Sequence, residues 1–228
     1  MKFLFVVAVT ISLVACTAST PTMQKGDAAE VTFDGLYRVD GTRMDETWLR
    51  QDIDLSQYGA LMFEGAGVSY LPVKQRARYS STAEKFPLDD RQRARLEATI
   101  TEVLVEEFGQ FEHYSVTDQA GPGVLKVTIG LKDVLSRVPP ERNGSRVSFY
   151  LRDLGEATLV LEVRDAETNQ ILARVVDRAS VENTSLQESN AVTNMSEVKR
   201  SVRRWGKSIR QGLDGLHQAG CYFCENPG

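Results

Sequence analysis

The chain has 228 residues, of which 42% are hydrophobic and 25% are charged. These proportions are ordinary for a folded globular protein, and the length suffices for one sizeable core. The 27 Lys and Arg residues are outnumbered by 31 Asp and Glu residues, so the formal net charge is −4 at pH 7. Because an acidic chain is repelled by a phosphate backbone, the composition argues against nucleic acid as a partner.

Residues 1–15 are typical of a signal peptide. One cation, Lys2, precedes an apolar run over residues 3–14. As a helix this run would rise only about 18 Å, too little to cross the ~30 Å hydrocarbon core of a bilayer. The sequence LVAC at residues 13–16 then resembles the lipobox of bacterial lipoproteins, which implies lipid on the sulfur and the amine of Cys16. The alternative is ordinary secretory cleavage beside an incidental cysteine.

Lipidation at Cys16 would hold the chain on a membrane outside the cytoplasm, and two or three acyl chains anchor a protein far more firmly than one. Because Thr17 rather than an aspartate follows the cysteine, the sequence favours the periplasmic face of the outer membrane over the inner membrane. In a Gram-positive source, the same motif would mean the outer face of the single membrane. Residues 16–30 are small and polar, and we expect them to form a lipidated tether. The expected partners are therefore the membrane and other envelope proteins.

Structured patterns begin after the tether, and we expect one domain over residues 31–220 with a short tail at 221–228. Residues 33–58 predict an irregular, aromatic arm. Ala60–Tyr70 predict a central strand, because the segment starts with a continuous apolar run. Apolar residues then recur at helical spacing behind Asp89, which predicts an amphipathic helix with this aspartate as its N-cap.

The next part of the chain predicts strands. Residues 124–135 alternate apolar and polar side chains, as a half-buried strand does. Residues 136–146 predict a loop, and Phe149–Leu151 predict an extra edge piece. Residues 157–165 and 170–181 flank a short polar turn, which is typical of a β-hairpin.

The last helix is the most regular element, because its apolar residues between 198 and 216 form one narrow stripe. Its opposite side carries six cations. They are Lys199, Arg200, Arg203, Arg204, Lys207 and Arg210. Two interpretations stay open, a solvated helix face or contact with anionic lipid headgroups near the tether.

Together these elements predict an α+β fold. It would be a two-layer α/β domain with a mixed, mostly antiparallel sheet of about four to five strands and two amphipathic helices on one face. The arm FDGLY at residues 33–37, the DLSQY step at 54–58 and the hairpin at 157–173 resemble a group of bacterial lipoproteins known only as a domain of unknown function. The resemblance covers roughly residues 31–218, and residues 136–156 fit it poorly. It implies a periplasm-facing lipoprotein, and the layout is similar to that of accessory lipoproteins which bind other envelope proteins.

The sequence contains no recognisable catalytic or cofactor-binding motif. The two histidines, His113 and His217, have no cysteine or carboxylate at metal-ligand spacing, and no nucleophile elbow, zincin helix or phosphate loop occurs. We therefore predict a non-enzymatic binding or accessory component with no catalytic residues, no metal site and no cofactor. A subunit of an envelope transport or secretion assembly is the alternative, and a periplasmic enzyme is a weaker one.

Cys221 and Cys224 form a C-x-x-C pair after the last helix. In an oxidising periplasm, such a pair predicts a disulfide that closes the tail into a small loop. A redox centre is less favoured, because the pair does not precede a helix whose N-terminus would lower the thiol pKa. Half of a metal site and unpaired thiols are the remaining alternatives.

Overall fold

The structure, a computed structural model, describes residues 20–73, 85–139 and 148–221. Its elements in chain order are β1 (Thr22–Met23), β2 (Leu36–Asp40), β3 (Glu46–Arg50), β4 (Ala60–Tyr70), α1 (Asp90–Phe108), β5 (Ser115–Val116), β6 (Val124–Ser136), β7 (Tyr150–Asp165), β8 (Ile171–Glu188) and α2 (Ala191–Ala219). The strands form one sheet in the order β1-β2-β3-β8-β7-β6-β4-β5. β4 is parallel to β5 and β6, and the other neighbouring pairs are antiparallel.

The expected fold class, an α+β domain with a sheet of four to five strands, is wrong. The described residues form eight strands and only two helices, so the domain is mostly β. β2 and β3 lie in the segment expected to be an irregular arm. Each has five residues, and charged side chains on one face, such as Arg38 and Glu46, interrupt the apolar pattern of Val39 and Leu49.

The expected hairpin is confirmed, but its strands are longer than the sequence indicated. β7 and β8 pair antiparallel from Arg164 and Ile171 up to Tyr150 and Glu188. The expected edge piece at residues 149–151 is therefore largely the start of β7. Part of the loop expected at residues 136–146 lies outside the described residues.

Both helices begin with a capping box. The Asp89 carboxylate accepts a hydrogen bond from the backbone N–H of Gln92, whose side chain accepts one from the Asp89 N–H, as predicted. Asn190 caps α2 by accepting from the backbone N–H groups of Val192 and Thr193. Each cap satisfies backbone donors that the first turn of a helix leaves without a partner.

α1 and α2 lie side by side on one face of the sheet and run in the same direction. Ion pairs join Glu102 to Lys199 at 3.1 Å and Glu106 to Arg203 at 3.0 Å, so the contacts advance along both helices together. The apolar stripe predicted for α2 is confirmed, since it points into the core. Its buried members are Val202, Trp205, Ile209 and Leu213.

Candidate functional site

Two cavities lie between the helices and the sheet. The smaller, of 220 Å³, lies between the N-terminal halves of α1 and α2 and the sheet. The larger, of 730 Å³, lies between the C-terminal half of α2, the strands β2, β3, β7 and β8, and the chain near Pro21. We call the larger one the tether-side cavity and consider it the candidate functional site, because its volume falls in the ~300–1,000 Å³ range of ligand-binding pockets.

The sheet provides the apolar wall of the tether-side cavity. Its residues alternate along the strands, so that those pointing toward α2 line the cavity. They are Val39, Leu49, Leu161, Val163, Ala173 and Val175. Among the described residues that line the cavity, Arg43 is the only charged one, and it is exposed. The site therefore suits an apolar ligand without a charged group at depth.

Small residues on α2 keep the cavity open. Ser208, Gly212 and Gly215 line it and lie at helical spacings of four and three residues, beside the apolar stripe. A Cβ atom added at Gly212 or Gly215 would meet no heavy atom within 4 Å. Both glycines are exposed, so the cavity is open to solvent along this side of α2.

α2 is held at both ends of the tether-side cavity. The indole N–H of Trp205 donates to Asp177 Oδ2 at 2.7 Å on one side. On the other side, the hydroxyl of Tyr114 donates to the backbone carbonyl of Leu213 at 3.3 Å, and Asp214 Oδ1 accepts from the His113 backbone N–H at 3.3 Å. These contacts fix the position of α2 relative to the sheet and so maintain the space between them.

An ion network supports the sheet from behind the cavity, on the face without helices. Arg174 of β8 contacts Asp34 Oδ2 at 2.6 Å and Glu162 Oε1 at 2.8 Å. The hydrogen bond from Arg174 lowers the pKa of Asp34 below its ordinary value. Burial alone would raise the pKa of Glu162, but hydrogen bonds from Arg174 and Arg164 outweigh it and lower that pKa.

The start of the described chain forms the rim of the cavity. Pro21 lines it, and Thr22–Met23 join the sheet as β1, with Met23 buried. The Gln24 N–H then donates to the Arg38 carbonyl at 2.9 Å. The part of the expected tether, residues 16–30, that follows Pro21 is therefore attached to the domain at several points.

A comparison with protein families shows which family the chain belongs to. The family described as "Protein of unknown function (DUF3313)" matches residues 28–209. The chain belongs to this family. Its membership confirms the resemblance to a domain of unknown function that the sequence indicated, and the matched residues do not include the lipobox. No curated protein matches the sequence.

Solved structures resemble the chain only distantly. A Xanthomonas campestris protein of the family DUF330 is 9% identical with a TM-score of 0.39, over 74% of this chain and 88% of that one. A PelC dodecamer from Paraburkholderia phytofirmans is 6% identical with a TM-score of 0.32, over 72% of this chain and 96% of that one. At these scores, neither likeness carries an argument about function.

The cysteines predicted as sites are only partly visible. Cys16 and Cys224 lie outside the described residues. Cys221 is disulfide-bonded, and its backbone forms an isolated antiparallel bridge with Asp54. The pairing of Cys221 with Cys224 stays a prediction, as does lipidation of Cys16.

Several of the six cations predicted to contact an anionic surface are engaged within the protein. Lys199 and Arg203 pair with acids of α1, and Arg200 pairs with Glu197 at 2.8 Å. Arg204 donates to Ser201, and Arg210 donates to the Gln110 carbonyl at 3.5 Å. Lys207 is exposed on the same helix. Contact of this surface with lipid headgroups stays a prediction.

The two histidines of the chain stack on each other. The rings of His113 and His217 lie 4.6 Å apart with an angle of 5° between their planes. Asp54 lies nearby, and its pKa is lowered, mainly by hydrogen bonds from Ser56 and more weakly by His217. In the part of the chain that the structure describes, no group of three or more His, Cys, Asp or Glu side chains could hold a metal ion.

The sequence interpretation missed the tether-side cavity. A signal was present, because Ser208, Gly212 and Gly215 form a small stripe next to the apolar stripe of the last helix. The sequence alone could not show what this stripe of small residues faces, because β2 and β3 were not predicted.

No helix that the structure describes is long and apolar enough to cross a membrane.

Proposed function

We propose that the protein is a lipid-anchored component of the bacterial envelope, held through Cys16 on the periplasmic face of the outer membrane. It binds an apolar ligand or another envelope protein and does not catalyse a reaction. Acyl chains on the sulfur and the amine of Cys16 provide the anchor.

One observation carries this proposal. The LVAC sequence at residues 13–16 fits the lipobox at all four positions, and Thr22 enters the sheet only six residues after Cys16. A domain that begins so soon after the cysteine lies close to the bilayer. Thr17, directly after Cys16, favours the outer membrane. The open, apolar tether-side cavity supports a binding role.

Fractionation of the native host tests the anchor. The wild-type protein is expected in the outer-membrane fraction of a density gradient, and its intact mass should equal that of residues 16–228 plus the acyl groups. The Cys16→Ser variant has no thiol to receive lipid, so it is expected to be absent from the outer-membrane fraction, either soluble or with its signal peptide uncleaved. A Thr17→Ser variant keeps the cysteine and serves as the matched control.

Two results contradict the proposal. An unacylated wild-type N-terminus would contradict the lipid anchor, and so would an equal amount of the Cys16→Ser variant in the outer-membrane fraction. An acylated protein in the inner-membrane fraction would retain the anchor but contradict the outer-membrane assignment.

A further inference from the structure

The tether-side cavity is a cleft between α2 and the sheet that opens to the protein surface. Its volume is 730 Å³, and Arg43, Gly212 and Gly215 in its lining are exposed to solvent. Its wall consists of apolar side chains of β2, β3, β7 and β8, and exposed Arg43 is the one charge among the described lining residues. Most of these strand side chains are buried, and apolar surface that water can reach is left at half-buried Met44, Val175 and Leu216. Such surface is unfavourable in water, so it favours an apolar occupant.

The cavity persists because the fold prevents its collapse. Hydrogen bonds at Trp205 and at Leu213 hold α2 on either side of it, and the strands below belong to one continuous sheet. Gly212 and Gly215 leave the space between helix and sheet unfilled. The site is therefore ready for a ligand without a rearrangement of the backbone.

The N-terminal chain brings a suitable occupant to the rim. Pro21 lines the cavity, and Cys16 is five residues earlier. Five extended residues span at most about 18 Å, so an acyl chain attached to Cys16 can reach the opening. A ligand on a short flexible linker has an effective concentration in the millimolar range, far above that of free lipid in water.

We propose that the tether-side cavity holds one acyl chain of the lipid on Cys16 whenever the protein is outside a bilayer. This inference rests on the lipidation in the proposed function. In a bilayer the chain already lies among other hydrocarbons, so the cavity offers it no advantage. In water, burial of each methylene group favours the cavity. The protein thus has a sheltered form in water and an anchored form in the membrane.

A photo-crosslinking experiment tests the sheltered form. Cells that make the full-length protein are fed palmitate with a terminal diazirine, and the protein is purified, freed of detergent and irradiated in buffer. After trypsin digestion, the lipid-bearing peptide 16–25 is expected to be linked to peptides 165–174 and 211–228, which contain Ala173 and Leu213 of the cavity. Irradiation in liposomes should move the links to phospholipid.

Two variants of α2 serve as a matched pair. The double variant Gly212→Leu/Gly215→Leu fills space that is open in the structure, and it should lose the links while remaining folded. Gln218→Leu adds leucine to the same helix at an exposed position outside the described lining, and it should keep them.

The outcomes separate the two proposals. If intact mass shows no lipid on Cys16, both fall. If lipid is present but no link reaches the cavity, or if the filled variant is linked equally well, only the inference falls. Free diazirine phospholipid that labels the cavity of the lipidated protein as strongly as the attached chain would identify a membrane lipid as the occupant and overturn the inference.

Discussion

The two helices cover the sheet in different ways. Under α1, the rings of Phe63 and Phe108 stack at 4.5 Å, and Phe111 packs on both. Under the C-terminal half of α2, small residues such as Gly212 leave a cavity instead. We call these regions the aromatic half and the hollow half. Large aromatic side chains bury much area and contribute strongly to stability. The same buried core continues beside the cavity through Leu49, Leu161 and Ile209.

The hollow half is also supported by polar contacts on both faces of the sheet. On the face without helices, Arg174 joins Asp34 and Glu162. On the helix face, Asp177 accepts from the Asp45 backbone N–H at 3.1 Å and from the Trp205 indole N–H at 2.7 Å. A cavity that remains open does not contribute the stability that filling it would add. The comparison shows that the Arg174 network, which stabilises this region, lies on the opposite face of the sheet from the open cavity.

Truncation of a leucine to alanine in each half is expected to give the largest effect on the free energy of unfolding. Leu61 in the aromatic half is fully buried, whereas Leu213, 5% exposed, borders the cavity. We expect Leu61→Ala to lower the free energy of unfolding by about 4–5 kcal/mol and Leu213→Ala by about 2–3 kcal/mol, because truncation costs more where it creates a new cavity. Urea titration of both variants measures the difference. Equal losses would show that the hollow half is packed as tightly as the aromatic half.

Removal of the ion network gives the next largest effect. The side chains of Arg174 and Asp34 are 18% and 17% exposed. Arg174→Met should therefore lower the free energy of unfolding by about 1.5–3 kcal/mol at pH 7, because charged hydrogen-bond partners lose their donor. Arg164→Met, which removes a cation that contacts only Glu162 of the two acids, is the matched control and should cost less.

The pH dependence sharpens this prediction. Asp34 and Glu162 have lowered pKa values in the folded protein, so their stabilisation is complete above their ordinary values of 3.8 and 4.5 and is lost as the pH falls through the lowered ones. The wild type should therefore lose stability with falling pH more steeply than Arg174→Met in urea titrations from pH 7 to 3. Parallel curves would contradict a role for the network.

The smallest expected effects come from two glycine substitutions on α2 that should change the stability in opposite directions. A Cβ at Gly206 would lie 3.0 Å from the Cβ of Glu107, where α1 and α2 touch, whereas one at Gly212 meets nothing within 4 Å. Gly206→Leu should destabilise by about 1–3 kcal/mol through overpacking. Gly212→Leu should stabilise by up to about 1 kcal/mol through helix propensity. Thermal unfolding followed by circular dichroism measures both, and loss of stability in Gly212→Leu would contradict an open cavity.

Local patterns predicted the helices and the central hairpin well, because periodicity and caps act within one segment. The N-cap at Asp89 and the apolar stripe of α2 are examples. β2 and β3 were not predicted as strands, because five-residue segments with Arg38 and Glu46 on one face resemble an irregular segment. The cavity escaped for a different reason. The cavity is the space between Gly212 and β3 that no side chain fills. That these two segments face each other depends on contacts between parts of the chain that are distant in sequence.

β1 makes the connection to the N-terminal chain mechanically weak. Thr22 and Met23 pair with β2 at the outer edge of the sheet, and the Gln24 N–H adds one hydrogen bond to the Arg38 carbonyl. A pulling force on the N-terminus would load these few hydrogen bonds one after another and peel the strand away. Release of residues 22–29, before the Asp34–Arg174 ion pair is loaded, would add about 28 Å of extended chain. Under tension on the N-terminus, this segment would thus extend before the core unfolds, and Pro21 would leave the rim of the cavity.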